Sequence, residues 1–524
     1  MRKVVSIVAK KSTPTYVLTL PIATNIYEEF IINKRFNIGE FIFNAILNKA
    51  MQRYHLMLES KEYRGIKKQL KISNKNYHKC DIVKLKDILN KDRKKIYKLL
   101  DSIYKKYGLT QCSLYKDVSP MQKHFKNNIG SLEAQDIVDR VLVSISKLLD
   151  GTGKGVHFKR RGELNSIQNK WTRCGLVFDS KTNLVMWNRL SIPVIIKSND
   201  TYAQKAIQDR VKFCRIIRQF IRGRYKYYVQ LVMEGYPPIK YNKETGEVRH
   251  SIGVGNVGLD IGTQTLAISS KSCVKILELC PEVDNIQKIK TKLSRRLDRQ
   301  RRANNPDNFN INGTIKRGIT VNSKKQKLTW VNSKNYIRTK NILRELQRKQ
   351  ADIRKQSHNI LANNIISLGD KILVEHMSFS GLQKRSKKTT INKNGKINKK
   401  KRFGKSLANK APAKLIAIIN QKLSYEGLKI LKINTQKVKA SQYNHFNDEY
   451  TKKELKGRWN VSIKIQRDCY SAFLIMNVND NLETINRAEC FKTYDNFKIL
   501  HDIEINKLKA LKLSGVKLIS SMGI

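Results

Sequence analysis

The stretch Val257-Gly258-Leu259-Asp260-Ile261-Gly262, followed at once by Thr265-Leu266-Ala267-Ile268, decides how the chain is read. It is an apolar strand that carries one carboxylate, Asp260, into a small-residue turn and then into a second apolar strand. Alone, an Asp beside a Gly is more often a turn residue than a ligand. Its weight comes from the elements that follow. Strands at 256–262, 265–270 and 274–279 form a meander, and Ile286 to Ala303 is a basic helix with Ile286, Ile289, Leu293 and Leu297 on one face. Residues 304–333, rich in Asn, Gly and Lys, read as loop. A long helix then runs from Tyr336 to Ile366 with Leu346, Ile353 and Ile360 at heptad spacing, giving a helical hairpin with basic outer faces.

Lys371-Ile372-Leu373-Val374-Glu375 is a compact strand that ends in a second carboxylate. Pro412, a good first-turn residue, opens a helix through Leu415, Ile418 and Leu423 to a stop at Gly427. Leu428 to Ile433 alternates as a further strand, and Gln466-Arg467-Asp468 opens a helix carrying Ala472, Phe473, Ile475 and Met476. Each acid has a plain reading: Glu375 as a strand end at solvent, Asp468 as a helix N-terminal acid favoured by the dipole. Asp370, after Gly369, is explained by a turn. Their joint order is that of the ribonuclease-H-like α/β layout, a mixed sheet flanked by helices in which the first and fourth strands lie side by side. Asp260, Glu375 and Asp468 then converge, as a two-metal phosphodiesterase requires. Carboxylate oxygens are the hard ligands that hold two Mg²⁺ about 4 Å apart.

Charge points to what such a site acts on. Among 524 residues, Lys and Arg number 104 against 42 Asp and Glu, a net +62. Charged residues make up 28%, close to the roughly 25% of an ordinary globular protein, so the charge is one-sided rather than abundant. Such self-repulsion weakens a compact fold unless a polyanion neutralises it, and counterion release drives binding to phosphates. An anionic membrane surface is the competing partner; the sequence offers neither a stretch of about 20 apolar residues nor a long amphipathic helix near its ends. Met1-Arg2-Lys3 begins basic but reaches Lys10 and Lys11 before a signal-length apolar core forms, so a cytoplasmic protein, nucleoid-associated when on DNA, is expected. The eight cysteines, at 80, 112, 174, 214, 273, 280, 469 and 490, show no CxxC spacing and read as reduced thiols, with no zinc site expected.

The N-terminal half reads as short strands near Ser12-Thr13-Pro14, a helical Lys-rich region from Phe36 to about 150, and β texture from Cys174. Phe213–Phe220 there faces Tyr225–Met233 in a hairpin. Gly235 to Gly255 is the linker. Lys384 to Lys405 holds eleven Lys/Arg and no acid in 22 residues: a flexible phosphate-contacting insert or a solvated loop.

Three blocks resemble the RuvC motifs of TnpB, the insertion-sequence OrfB proteins, which compact type V CRISPR effectors share. They are Gly258-Leu259-Asp260-Ile261-Gly262-Thr263, Ile372-Leu373-Val374-Glu375-His376-Met377-Ser378 and Arg467-Asp468-Cys469-Tyr470-Ser471-Ala472. The basic hairpin, Arg35-Phe36-Asn37 and Phe158-Lys159-Arg160-Arg161-Gly162 are also similar. The resemblance implies catalytic, metal-holding acids at Asp260, Glu375 and Asp468, guide RNA and double-stranded target DNA as partners, and recognition of a short flanking DNA motif. It further implies a wedge-type β-barrel in two parts, 1–30 and 146–248, interrupted by a helical recognition domain at 31–145. A RuvC-like nuclease domain at 249–500 would follow, with hairpin 285–367, basic insert 384–405 and a target-strand-loading segment 441–467, then a tail at 501–524.

Nucleic-acid contacts are expected from Lys159, Arg160 and Arg161; from Arg295, Arg296, Arg299, Arg301 and Arg302 on the hairpin; from Lys384, Arg385, Lys387, Lys388, Lys400, Lys401 and Arg402 in the insert; and from Arg467. The chain departs from the family where a zinc ribbon usually stands, since residues 376–467 contain no cysteine. Ser441-Gln442-Tyr443-Asn444-His445-Phe446, with Tyr450, Arg458 and Trp459, stands there instead. Two readings remain open: Tyr443 and Trp459 stack on bases, or the aromatics form a small core in place of the metal. Two competing functions are a guided repressor that has lost an acid and an unguided transposase or resolvase. All three acids are present, in the order Asp, Glu, Asp rather than the Asp, Asp, Glu usual in transposases.

Overall fold

The computed structural model describes residues 13–524, except 81, 172–173, 243, 317–319, 322–323, 326–327, 387–388, 392–394, 396, 399–402, 452–453 and 455–456 and the side chains of 320–321 and 324–325. The first-strand reading before Thr13 and the proposed contacts Lys387, Lys388, Lys400, Lys401 and Arg402 lie outside the described residues. Two compact units divide at Ile239/Lys240, inside the Gly- and Pro-bearing linker.

The first unit opens with β1 (Thr15–Pro21) and α1 (Ile26–Glu59). The N-terminus of α1 is fixed by a capping box: Asn25 Oδ1 accepts from Glu28 N at 2.9 Å and Glu28 Oε2 from Asn25 N at 2.8 Å. Helices α2 (Lys61–Lys79), α3 (Val83–Lys106), α4 (Gln111–His124) and α5 (Ser131–Leu149) follow, so the helical region runs from Ile26 to Leu149 rather than 31–145. Strands β2 (Ser166–Gln168), β3 (Leu176–Asp179), β4 (Leu184–Trp187) and β5 (Leu190–Pro193), the short helix α6 (Thr201–Ala206), β6 (Val211–Ile221) and β7 (Arg224–Glu234) complete it. The β6–β7 turn is Arg222-Gly223, with φ of 48° and 89°, the positive pair that a two-residue hairpin turn matched to strand twist demands. The expected barrel is, among the described residues, two antiparallel sheets, β1-β7-β6-β2 and β3-β4-β5. They are joined by an isolated Ile22–Val194 bridge and by the Cys214 thiol of β6, which donates to the Leu176 carbonyl of β3 at 3.3 Å, rather than by a continuous ladder. The ladder stops there because β1 ends at Pro21, whose nitrogen has no hydrogen to donate.

The second unit is built on a five-stranded mixed sheet of β8 (Asn256–Ile261), β9 (Thr265–Ser270), β10 (Val274–Glu278), β13 (Lys371–Glu375) and β14 (Leu431–Ile433), in the order β10-β9-β8-β13-β14. Between β10 and β13 lie α7 (Val283–Asn304), the two-residue strands β11 (Thr320–Val321) and β12 (Lys324–Lys325), and α8 (Lys334–Ile366). Between β13 and β14 lie α9 (Phe379–Leu382), α10 (Gly404–Lys410) and α11 (Pro412–Ser424). After β14 come α12 (Thr435–Val438), the small hairpins β15 (Tyr443–Asn444) with β16 (Glu449–Tyr450) and β17 (Trp459–Asn460) with β18 (Ile465–Gln466), then α13 (Arg467–Met476) and α14 (Arg487–Leu513).

Strand alternation splits the core in two. Val257, Leu259, Ile261, Ile372 and Val374 pack with Leu415 and Ile419 of α11 and Ile365 of α8 on one face. Leu373 and Ala267 pack with Phe473 and Leu474 of α13 and Phe497 of α14 on the other. Two sequence boundaries move. The strand read from Leu428 begins at Leu431, because after Gly427, at φ 73°, Leu428 N still donates to the Leu423 carbonyl at 3.0 Å and Ile430 N to Asn420 Oδ1 at 3.1 Å, both on α11. The tail read from 501 begins instead inside α14, because Phe497, His501, Ile505 and Leu508 keep one buried helical face.

Candidate active site

Strands β8 and β13 are parallel neighbours with Leu373 opposite Gly258 and Val374 opposite Leu259. One step further on, Glu375 stands abreast of Asp260, both near the carboxyl ends of their strands and on the sheet face that α13 covers. Gly258 sets how closely the helix lies. A Cβ there would sit inside contact distance of the Ala472 carbonyl oxygen and 2.5 Å from Met476 N, so backbone meets backbone. Asn256 Nδ2 donates to the Met476 carbonyl at 3.2 Å and ties the far end of α13 to the start of β8. The helix therefore runs back along the strand, and its first turn, with Asp468, lies toward Asp260. Gln466 caps that turn by accepting from Cys469 N at 2.8 Å.

Electrostatics report the convergence. The Asp260 carboxyl is held well above the usual carboxylate range, chiefly by burial and then by the negative charges of Glu375 and Asp468; Arg467 and Arg458 oppose the shift. Burial also raises Glu375. The buried Cys469 thiol is pushed up by burial and feels Asp468 and Asp260 as well. Asp370 is apart from this group and accepts from Gly255 N at 2.9 Å, a structural role.

Two arginines balance the acids. Arg458 Nη1 lies 3.6 Å from Asp468 Oδ2 and Arg467 Nε 3.4 Å from Asp468 Oδ1. Arg467 is otherwise spent on the loop before it, donating to the carbonyls of Gly457 at 2.9 Å and Glu454 at 3.3 Å. Arg458 is backed by Gly523, whose missing Cβ leaves room for the arginine stem. Among the described residues no three acid, His or Cys side chains stand at coordinating geometry for a single ion. The donor chemistry nonetheless fits Mg²⁺: three carboxylates, two of them raised by burial, supply the hard oxygen ligands that this ion takes, with Arg458 and Arg467 set against Asp468.

The remaining sequence candidates are distributed as follows. Arg295, Arg296 and Arg299 are exposed on α7, whereas Arg301 stacks on Trp330 at 3.6 Å and Arg302 pairs with Asp298 at 3.1 Å. Lys384, Arg385, Arg160 and Arg161 are exposed; the Lys159 ammonium lies 4.7 Å from the Phe43 ring. Of the two readings left open for Tyr443 and Trp459, burial favours the core one for Tyr443, whereas Trp459 is half-buried. Tyr443 is buried and donates to Asp448 Oδ1 at 2.6 Å, while Trp459 Nε1 donates to the Gly523 carbonyl at 2.7 Å. The neighbouring aromatics enclose fully buried His445, whose Nδ1 meets the Tyr470 hydroxyl at 2.6 Å, with Phe473 buried beneath it, Tyr494 beside it and the exposed rings of Phe446 and Phe491 on its solvent side.

The part of Arg458 in the site was not legible from sequence; Gly258 was signalled by a glycine inside an apolar strand. No helix among the described residues is long and apolar enough to cross a membrane, and all eight cysteines are free.

No protein-family model matches the chain, and neither does any curated protein. Solved structures similar to it include the following two. One, described as "Cryo-EM structure of the Cas12f1-sgRNA-target DNA complex", is 11% identical over 89% of this chain and 99% of that one, with a TM-score of 0.40. The other, "Cryo-EM structure of CRISPR-Cas12f Ternary Complex", is 12% identical over 88% and 99%, with a TM-score of 0.22.

Proposed function

We propose that the chain is an RNA-guided DNA endonuclease with a RuvC-like, ribonuclease-H-like site, taking a guide RNA and target DNA as partners. The observation that carries this is the field at Asp260. Glu375 from the adjacent parallel strand and Asp468 from the covering helix both act on it, in a chain of net charge +62. Asp260, Glu375 and Asp468 would hold two Mg²⁺ ions; bound there, the metals supply an activated water and stabilise the leaving oxygen of the phosphodiester.

The chain's own residues do the rest. The β8–β13 pairing fixes two acids side by side, and the backbone contact at Gly258 fixes the third above them. Arg458 and Arg467 neutralise Asp468 in the metal-free site, and Arg458 would present a guanidinium group to phosphate at its edge. Base pairing with the guide supplies sequence choice, and the first unit reads the short flanking motif.

The test is to purify the protein from cells carrying its native locus and to sequence the RNA that accompanies it. A discrete species ending in a variable segment is expected; random fragments alone would make this an unguided nuclease or a general binder.

A further inference from the structure

A cleft of about 630 Å³ on the first unit is lined by Phe30, Asn33, Lys34, Asn37, Ile38, Phe41, Phe125 and Arg161. Six of these lie at positions i, i+3, i+4, i+7, i+8 and i+11 of α1, one face of the helix. Helix faces normally hide aromatic rings, yet Phe30 is 67% and Phe41 57% exposed, and Phe41 meets Phe125 edge to face at 6.0 Å.

The wall opposite is anchored. Glu40 Oε2 accepts from the backbone N–H groups of Gly162 and Glu163 at 2.9 and 3.2 Å, and Asn44 clasps the Lys159 backbone at 2.8 and 2.9 Å. The loop is thus held against α1 while the side chains of Arg160 and Arg161 project. No acid lines the cleft. Asn33 is engaged with Tyr227 and Arg218, but the Asn37 side chain makes no hydrogen bond among the described residues.

We infer that this cleft binds one unstacked nucleobase of a single-stranded nucleic acid. Exposed phenyl rings give the π-face on which any base stacks, Lys34 and Arg161 take the flanking phosphates, and the Asn37 amide meets the base edge. The cleft falls within the 300–1,000 Å³ range usual for small-ligand sites. A second copy of the chain is the poorer occupant, because two +62 molecules would have to bring Lys34 and Arg161 of each together. The inference rests on the proposed nucleic-acid function but concerns a site remote in sequence from the acids.

Binding of fluorescent single-stranded RNA, single-stranded DNA and blunt duplex 12-mers to the full chain tests it, with Phe41→Ala and Phe41→Trp compared against wild type. Phe41→Ala should weaken one or both single strands by roughly 5- to 150-fold and leave the duplex unchanged; whichever strand responds identifies the source of the base. Phe41→Trp should restore binding, and its added fluorescence should quench when the strand binds. Equal affinity of Phe41→Ala for every probe, or no quenching in Phe41→Trp, overturns the site while leaving the nuclease reading intact. A concentration-dependent dimer abolished by Phe41→Ala would instead assign the cleft to self-association. If wild type binds none of the probes, the proposed function fails with it.

Discussion

At Gly258 one hydrogen atom in place of a methyl group lets α13 rest on β8. Gly258→Ala must push the helix off the strand, because the obstructing atoms are backbone. A loss of about 3 kcal/mol or more is expected, with loss of any cleavage, read by thermal melting and a cleavage assay. Asp260→Asn should do the opposite to stability. It removes one of three like charges from a buried site, so the metal-free protein should melt roughly a few degrees higher while losing cleavage. An unchanged or lower melting temperature would mean that the acids do not repel. Arg458 competes for Asp468 from 3.6 Å with a side chain that is 30% exposed, so Arg458→Met should tighten Mn²⁺ binding about 2- to 5-fold, the worth of a half-exposed ion pair. Titration of Mn²⁺ by electron paramagnetic resonance reads this without activity; weaker or unchanged binding would make Arg458 purely structural.

The elements that carry the acids were legible because each announces itself locally. β8 and β13 are short, almost wholly apolar strands, and α13 begins at a capping Gln followed by an acid. Elements whose partners are distant in sequence were not. His445 is one case: its burial comes from rings on α13 and α14, so the sequence left base stacking and core packing equally open for its neighbours. Its imidazole is pushed down from 6.5 to about 4, first by burial and then by Arg487, and Nε2 finds no partner. Between those values the unfolded chain binds a proton that the native one refuses, so stability falls as pH drops from 6.5 toward 4. His445→Phe should remove on the order of 2 kcal/mol of that fall, seen by comparing melting curves at pH 7 and pH 5. Lys410 is a second case. Its ammonium, on a side chain only 2% exposed, joins α10 to Glu278 at 2.7 Å and Asp284 at 2.8 Å. From sequence it is one lysine in a basic run. The two-part barrel read for the first unit stands, among the described residues, as two linked sheets for the same kind of reason, since alternation finds strands but the pairing between sheets is decided at their ends.

For the molecule as a whole, the division at Ile239/Lys240 falls where the backbone is exposed, so brief trypsin treatment should cut within 239–251 and leave two resistant fragments. The net charge of +62 predicts that affinity for single-stranded nucleic acid falls with salt at a log–log slope of about −0.7 per phosphate engaged. Charge and strand order are the two features of the sequence on which the proposed nucleic-acid chemistry rests. The ion pair of Arg458 with Asp468 was not legible there, because it joins a loop to α13 in a way that a linear reading does not connect. The most direct measurement is cleavage of a matched DNA target, in Mg²⁺, by the protein carrying its guide RNA. Wild type should cut only the matched target. Asp260→Ala, Glu375→Ala and Asp468→Ala should each bind guide and target with unchanged affinity yet show no cutting. Cleavage that survives Asp260→Ala, or cutting that ignores the guide, would contradict the account.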